Sequence, residues 1–331
     1  MGLGRLGKRH AENLKHKVSG AALVAACSVV KEELDWAREN LGIEALYSNY
    51  DQMLEEADLD AVFLVTSSAV HAEQSIKALE KGLHVFTEKP MGVDVPECQK
   101  VERVVAEHPN QVFFVGFVRR FDPSYAYAKQ LIDEGVIGEP FLVRSQTVDL
   151  DEYAEFQVKF VPTSGGIFLD CNVHDIDLAR WYLGSEVKSV YAKGGSYVHQ
   201  AFDSVHDADN TVVLTTFDDG KMAVISASRT AFHGHDTHTE ITGSKGILKI
   251  GMTPAKNRVE VFDGHGARTH CVRDFFERFH EGFLAEAQEF VNCIRENRQP
   301  IVSAFDGTKA TEVGFAMTDS FQQGKEVQLH S

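Results

Sequence analysis

Six residues near the start of the chain, Gly2-Leu3-Gly4-Arg5-Leu6-Gly7, place the tightest constraint on its fold. A G-x-G-x-x-G run that opens a helix and is followed by a strand is the turn of a βαβ unit, and such units build parallel sheets. The helix is expected over Lys8 to Leu14, and the strand in the apolar run Ala21 to Val30. Glycine fills 26 of the 331 positions, so the spacing alone is weak and the context gives it weight. The glycines let a backbone approach a pyrophosphate, and a helix N-terminus favours its negative charge. The alternative is a plain structural turn. A strand normally precedes this loop, yet Gly2 is the second residue. The expectation is that several natural N-terminal residues are missing from the sequence, and an intact mass of the natural protein checks it.

Strand and helix signals alternate over about the first 120 residues, the pattern of an α/β sheet. Helices are expected at Lys31–Asn40, His71–Lys81 and Val95–His108, and strands at Ala45–Tyr47, Asp60–Val65, His84–Thr87 and Gln111–Val115. Asp51 is placed to cap the turn after Tyr47. From about Pro140 the strands lengthen and hairpin signals appear, Asp219-Gly220 and Gly243-Ser244-Lys245-Gly246. Six strands are expected there: Phe141–Val148, Val187–Lys193, Thr211–Phe217, Met222–Ser228, Thr239–Thr242 and Gly246–Ile250. Helices are expected at Ser124–Glu134, Val173–Leu183, Phe279–Asn297 and Phe305–Gln322. The fold class is therefore a doubly wound parallel-sheet domain, residues 1–119, followed by an α+β domain, 120–331, with an open, mostly antiparallel sheet.

Composition narrows the function. A length of 331 residues favours two cores over one. A net charge of −16 argues against nucleic acid, because no basic stripe is present to neutralise phosphates, and it disfavours anionic membrane surfaces. The five cysteines are scattered without a C-x-x-C, which reads as reduced thiols in a cytoplasmic protein. No signal peptide and no apolar run of bilayer length is seen.

Lys89 ends an apolar strand in Glu88-Lys89-Pro90, on the side of an α/β sheet where ligands bind. A solvated surface lysine is the alternative, and Pro90 invites a cis peptide. Further on, Asp170 and His174 stand four apart, with Asp177 three beyond, all on one face of an expected helix. Acids one turn before and after a histidine orient its ring and raise its basicity. The alternative is a capped helix start with Asp170 as N-cap. At the ribose position, Ser28 stands where an NAD enzyme usually carries an acid, and Lys31 follows. Weak discrimination between NAD and NADP is the expectation. His233, His235 and His238 read as structural or pocket residues ahead of a metal site, and no metal is expected.

These segments, GLGRLGKRHAENL, EKPMG, GFVRRFD and GGIFLDCNVHDIDLARW, together resemble the Gfo/Idh/MocA oxidoreductases over essentially the whole chain, and within them the inositol 2-dehydrogenases. The resemblance implies a Rossmann domain, an open-faced sheet domain and a homotetramer. It implies Lys89, Asp170 and His174 as catalytic residues, and Arg120, Asp177 and His235 as further polyol contacts. His235 stands where some relatives carry tyrosine. The cofactor set is read as Gly2, Gly4, Arg5, Leu6, Gly7, Ser28, Thr66, His71, Glu88 and Lys89. The implied reaction is oxidation of a cyclic polyol's secondary hydroxyl, myo-inositol to the 2-keto inosose, with NAD and possible use of NADP. The alternatives are scyllo-inositol or another sugar, and a cofactor-binding regulator without turnover.

Overall fold

Short buried strands and amphipathic helices alternate through the first unit of the computed structural model, which describes residues 1–329. In order these are α1 (Arg5–His16), β1 (Ala25–Cys27), α2 (Lys31–Leu41), β2 (Ala45–Tyr47), α3 (Tyr50–Glu56), β3 (Ala61–Leu64), α4 (His71–Glu80), β4 (His84–Glu88), α5 (Val95–Glu107) and β5 (Phe113–Gly116). β1 and β2 pair in parallel, as do β3, β4 and β5. Met1 and Gly2 link the two ladders. The Gly2 amide donates to the Cys27 carbonyl and the Val65 amide donates to the Met1 carbonyl, each at 2.9 Å. α2 stops at Gly42, whose φ of +62° is a left-handed cap that glycine adopts at little cost. The cap of α3 is Asn49, which accepts from the Gln52 amide, and not Asp51: the chain turns one residue before Tyr50, so Asp51 already lies inside the helix.

The second unit contains α6 (Pro123–Asp133), β6 (Pro140–Leu150), α7 (Ala154–Ser164), α8 (Gly166–Asp170), α9 (Val173–Leu183), β7 (Val187–Gly195), β8 (Asn210–Phe217), β9 (Met222–Ala231), β10 (Asp236–Gly243), β11 (Ile247–Ile250), β12 (Ala255–Asp263), β13 (Gly266–Cys271) and α10 (Phe275–Arg278). Then come α11 (His280–Glu296), α12 (Ala304–Gln323) and β14 (Val327–Gln328). Seven strands form one sheet in the order β11-β10-β6-β9-β8-β7-β14. All its pairs are antiparallel except β6 with β9. β8 shows the alternation of a half-covered sheet: Thr211, Val213, Thr215 and Phe217 are buried, while Val212 and Leu214 are exposed.

The first unit takes residues 1–121 and also 281–311, which a division after residue 119 leaves to the second. The reason is the apolar face of α11. Phe290 and Cys293 pack with Phe86 and Phe114, and Ala287 and Val291 pack with Leu14 and Val18. Several elements escape the sequence reading, among them α7 and the β12–β13 hairpin. α7 carries an internal Pro162, and the β12–β13 hairpin is largely exposed, so it lacks an alternating apolar pattern.

Candidate active site

In the first unit the glycine loop is shaped by close backbone approach. A Cβ on Gly7 would stand 2.1 Å from the Gly2 carbonyl oxygen, and one on Gly2, at φ +80°, 2.4 Å from that of Val65. Gly4 differs. A Cβ there would meet only Glu33 Oε1, at 3.9 Å, so its face opens onto space. Gly4 is also the N-cap of α1, with no side-chain cap and no acid in the first turn. The helix's first N–H groups are thus left for an anion, with exposed Arg5 and half-buried Leu6 beside them. This cradle fits the pyrophosphate of a dinucleotide.

The strand end itself carries no carboxylate, but one stands beside Ser28. Ser28 Oγ donates to Glu33 Oε2 at 2.5 Å, so the first turn of α2 supplies the acid that the strand end lacks. The Val30 amide donates to Ser28 Oγ and fixes the hydroxyl. Lys31, 80% exposed, pairs along its helix with Asp35.

Thr66 follows β3, and its Oγ1 bonds to Gln74 Oε1 at 2.7 Å. His71 is buried, with Nδ1 2.8 Å from the Pro90 carbonyl and Nε2 3.1 Å from that of Thr66. Burial pushes its pKa below the usual histidine range, against the pull of the two carbonyls. The neutral ring donates to one of these carbonyls at a time and packs between the segments after β3 and β4. Lys89 is half-buried at the end of β4, and the Lys89–Pro90 bond is cis. Glu88 turns inward, with Oε1 2.8 Å from His10 Nε2. Arg120 is buried, and its guanidinium donates to the Ile301 carbonyl and to Asp306 Oδ1, both at 2.9 Å.

In the second unit Asp170 and His174 do not share one unbroken helix. Asp170 ends α8, Cys171 and Asn172 make a turn, and α9 starts at Val173 with Asn172, not Asp170, as its N-cap. The side chains of Asn172 and Asp175 explain the break. Asn172 Nδ2 donates to the Ser226 carbonyl and to Asp175 Oδ2, both at 3.1 Å. Asp175, fully buried, also accepts from Ser145 Oγ at 2.6 Å and Thr147 Oγ1 at 2.7 Å. These bonds fasten the start of α9 to β6 and β9, and half-buried His174 and buried Asp177 ride on that turn. The sequence signal for Asp175 is present but quiet: Ser145 and Thr147 are polar at inward positions of β6.

Arg229 was also missed. It is buried, lies over the Phe202 ring, and donates to Asp207 Oδ2 at 2.7 Å. Its Nη2 is 4.0 Å from Asp170 Oδ2. Asp207 in turn accepts from the Ile167 amide at the start of α8. Arg229 and Asp207 thus support the short helix that carries Asp170. His235 is buried against Phe275 and Phe279, with Nδ1 3.0 Å from Asp149 Oδ1. Burial opposes ionisation of Asp149, but the His235 bond, with Arg229, holds its pKa below the usual carboxylate range. Cys171 Sγ lies 3.6 Å from the same carboxylate, so this dyad reaches the turn next to Asp170. His233 and His238 pair instead with Asp236.

Two family models cover most of the chain. The Gfo/Idh/MocA oxidoreductase model for the NAD-binding Rossmann fold matches residues 1–117, and the model for the family's C-terminal alpha/beta domain matches residues 129–329. The scyllo-inositol 2-dehydrogenase (NAD(+)) of Bacillus subtilis is 38% identical over 99% of this chain and 95% of its own length. The myo-inositol 2-dehydrogenase of Thermotoga maritima is 33% identical over 99% and 97%. The crystal structure of scyllo-inositol dehydrogenase from Lactobacillus casei, with bound NAD(H) and scyllo-inositol, superposes with a TM-score of 0.96 at 42% identity, covering 99% of this chain and 97% of that one.

Proposed function

The chain belongs to the Gfo/Idh/MocA oxidoreductases, and we propose that within this family it oxidises a secondary hydroxyl of a cyclic polyol, myo-inositol to the 2-keto inosose. The observation that carries the reading is the joint presence of Lys89, Asp170 and His174 on a chain similar end to end to inositol dehydrogenases. NAD, held by the glycine loop and the start of α1, would supply the hydride acceptor for the carbinol carbon. His174 accepts the hydroxyl proton, because an imidazole titrates near neutrality. Lys89 donates a hydrogen bond to the same oxygen and stabilises its developing charge. Asp170, supported by Arg229, positions the substrate and the histidine. A regulator without turnover needs only the glycine loop, so retention of all three residues speaks against that alternative.

The similarity to the Bacillus and Lactobacillus scyllo-inositol enzymes supports a second reading, with scyllo-inositol as substrate. A panel of myo-inositol, scyllo-inositol and common aldoses, each with NAD, tests both. Turnover on an inositol is expected to exceed that on any aldose. No reduction of NAD with either inositol would end the proposal.

The free cysteines, four of them buried, fit a reducing cytoplasm. Among the described residues no helix is long and apolar enough to cross a membrane. We further assign a homotetramer built on the large sheet. Tyr191, Val212, Leu214, Met222 and Ile247 are exposed on its open side, an apolar patch of the kind that marks an interface. Light scattering at micromolar concentration should give about four chain masses, and a monomer mass refutes the assignment.

A further inference from the structure

The reaction just described leaves one buried ionisable group without a task. His10 of α1, Glu88 of β4 and Glu286 of α11 bring one ligand atom each to within 4.8 Å of the others, inside the first unit. His10 is 1% exposed, Glu88 5% and Glu286 0%. Phenyl rings wall the imidazole: Phe63 at 5.1 Å, Phe86 and Phe283 at 5.5 Å between centroids. Neither carboxyl oxygen of Glu286 has a hydrogen-bond partner, nor does His10 Nδ1. His10 Nε2 lies 2.8 Å from Glu88 Oε1 and 3.9 Å from Glu286 Oε1.

A cation is the wrong occupant for this cluster. Two ligands of one tetrahedral metal stand roughly 3.4 Å apart, for bonds near 2.1 Å. The 2.8 Å contact is instead a hydrogen bond. A proton resolves the charge. Bare carboxylate at Glu286 would lie in an apolar pocket with nothing to solvate it. Burial first, and then the Glu88 charge, push the Glu286 carboxyl well above the usual range. Glu286 is therefore the neutral member, and Glu88 is the hydrogen-bond acceptor of the set. Its Oε1 accepts from His10, and its Oε2 accepts from the Lys89 backbone amide at 3.3 Å. The bare Cα of Gly116 makes room for it, since a Cβ there would stand 3.1 Å from Glu88 Oε2.

We infer that His10, Glu88 and a protonated Glu286 form a buried set that positions Lys89 by holding its main chain through the Glu88 side chain. This rests on the proposed role of Lys89, and the test separates the two. In Glu88→Gln a single amide oxygen replaces two acceptor oxygens. Either the Lys89 amide then faces an NH2, or the imidazole must carry its proton on Nδ1, towards atoms that accept nothing. His10→Gln cuts the same link from the other side.

Both variants are expected to lose kcat roughly ten- to hundredfold, the scale for slight misplacement of a reacting group. Inositol KM and the melting temperature should stay near parental, and the NADH dissociation constant should change less than in Lys89→Ala, because the lysine is shifted and not removed. Parallel loss of kcat, NADH affinity and melting temperature would show a set that only holds the fold, and overturns the inference. Lys89→Ala inactive while both variants keep parental kcat overturns it too and leaves the role of Lys89 standing. Lys89→Ala with normal turnover sinks that role itself. Independently of activity, the infrared spectrum of the unmodified protein should show the carbonyl stretch of a buried protonated carboxylic acid, lost in Glu286→Gln. Absence of that band in the parent overturns the inference even if every variant fails to fold.

Discussion

Lys89→Ala and His174→Ala should each lower turnover with inositol roughly 10²-fold or more, the range for loss of a positioned proton acceptor or of a group that stabilises a developing oxyanion. The two substitutions act on different units of the fold, and that predicts a contrast between them. Lys89 leaves β4 at the sheet end that also carries the glycine loop's neighbours, Thr66 and His71. Its loss should disturb cofactor affinity as well as chemistry. His174 sits on the first turn of α9, which the Asn172 and Asp175 bonds hold in place. His174→Ala should therefore stay folded and bind NADH nearly as the parent does, while turnover collapses. Steady-state kinetics on the true substrate, with NADH titration, decide it. Near-normal turnover in either variant would refute the roles assigned.

How far the sequence discloses this site depends on how far each residue's partners lie along the chain. The helix Val173–Leu183 is found with both ends correct, because its apolar spacing and closing Gly184 are local signals. The break before it is not found. Asp170 and His174 sit at helical spacing, and only the buried bonds of Asn172 and Asp175 to β6 and β9 show why two helices meet there. Arg229 illustrates the same limit. Its partner Asp207 is 22 positions away and its neighbour Asp170 lies 59 back, so nothing local marks a strand arginine as support for a helix. The His10, Glu88 and Glu286 set is assembled from three distant segments, one of them beyond six of the seven strands of the second-unit sheet. Position-by-position reading against a fingerprint also misleads when a neighbouring turn supplies the missing group, as Glu33 does for Ser28.

That substitution reverses the outlook for cofactor choice. A carboxylate at the ribose corner accepts hydroxyl protons and repels a 2′-phosphate. Here the charge comes from Glu33, held 2.5 Å from Ser28 Oγ, with its other oxygen 3.9 Å from where a Gly4 Cβ would be. Lys31 does not offset it, since its ammonium pairs with Asp35 further along α2. NAD should therefore be preferred over NADP by about two orders of magnitude in kcat/KM, ~2.7 kcal/mol of transition-state discrimination. Weak discrimination, the outcome expected of a corner with serine and lysine alone, no longer follows. Glu33→Gln isolates the charge: the amide oxygen still accepts from Ser28, so the start of α2 keeps its hydrogen bond. Its kcat/KM with NADP should rise roughly tenfold or more, a gain of ~1.4 kcal/mol, with a smaller change for NAD. Ser28→Asp should not sharpen the preference cleanly, because a second carboxylate against Glu33 repels it and displaces the first. Measuring kcat/KM for both cofactors in the parent and in Glu33→Gln gives the answer. A parent that uses NADP within about tenfold of NAD, little more than 1.4 kcal/mol apart, or a Glu33→Gln variant with the parental ratio, would show that Glu33 only caps its helix.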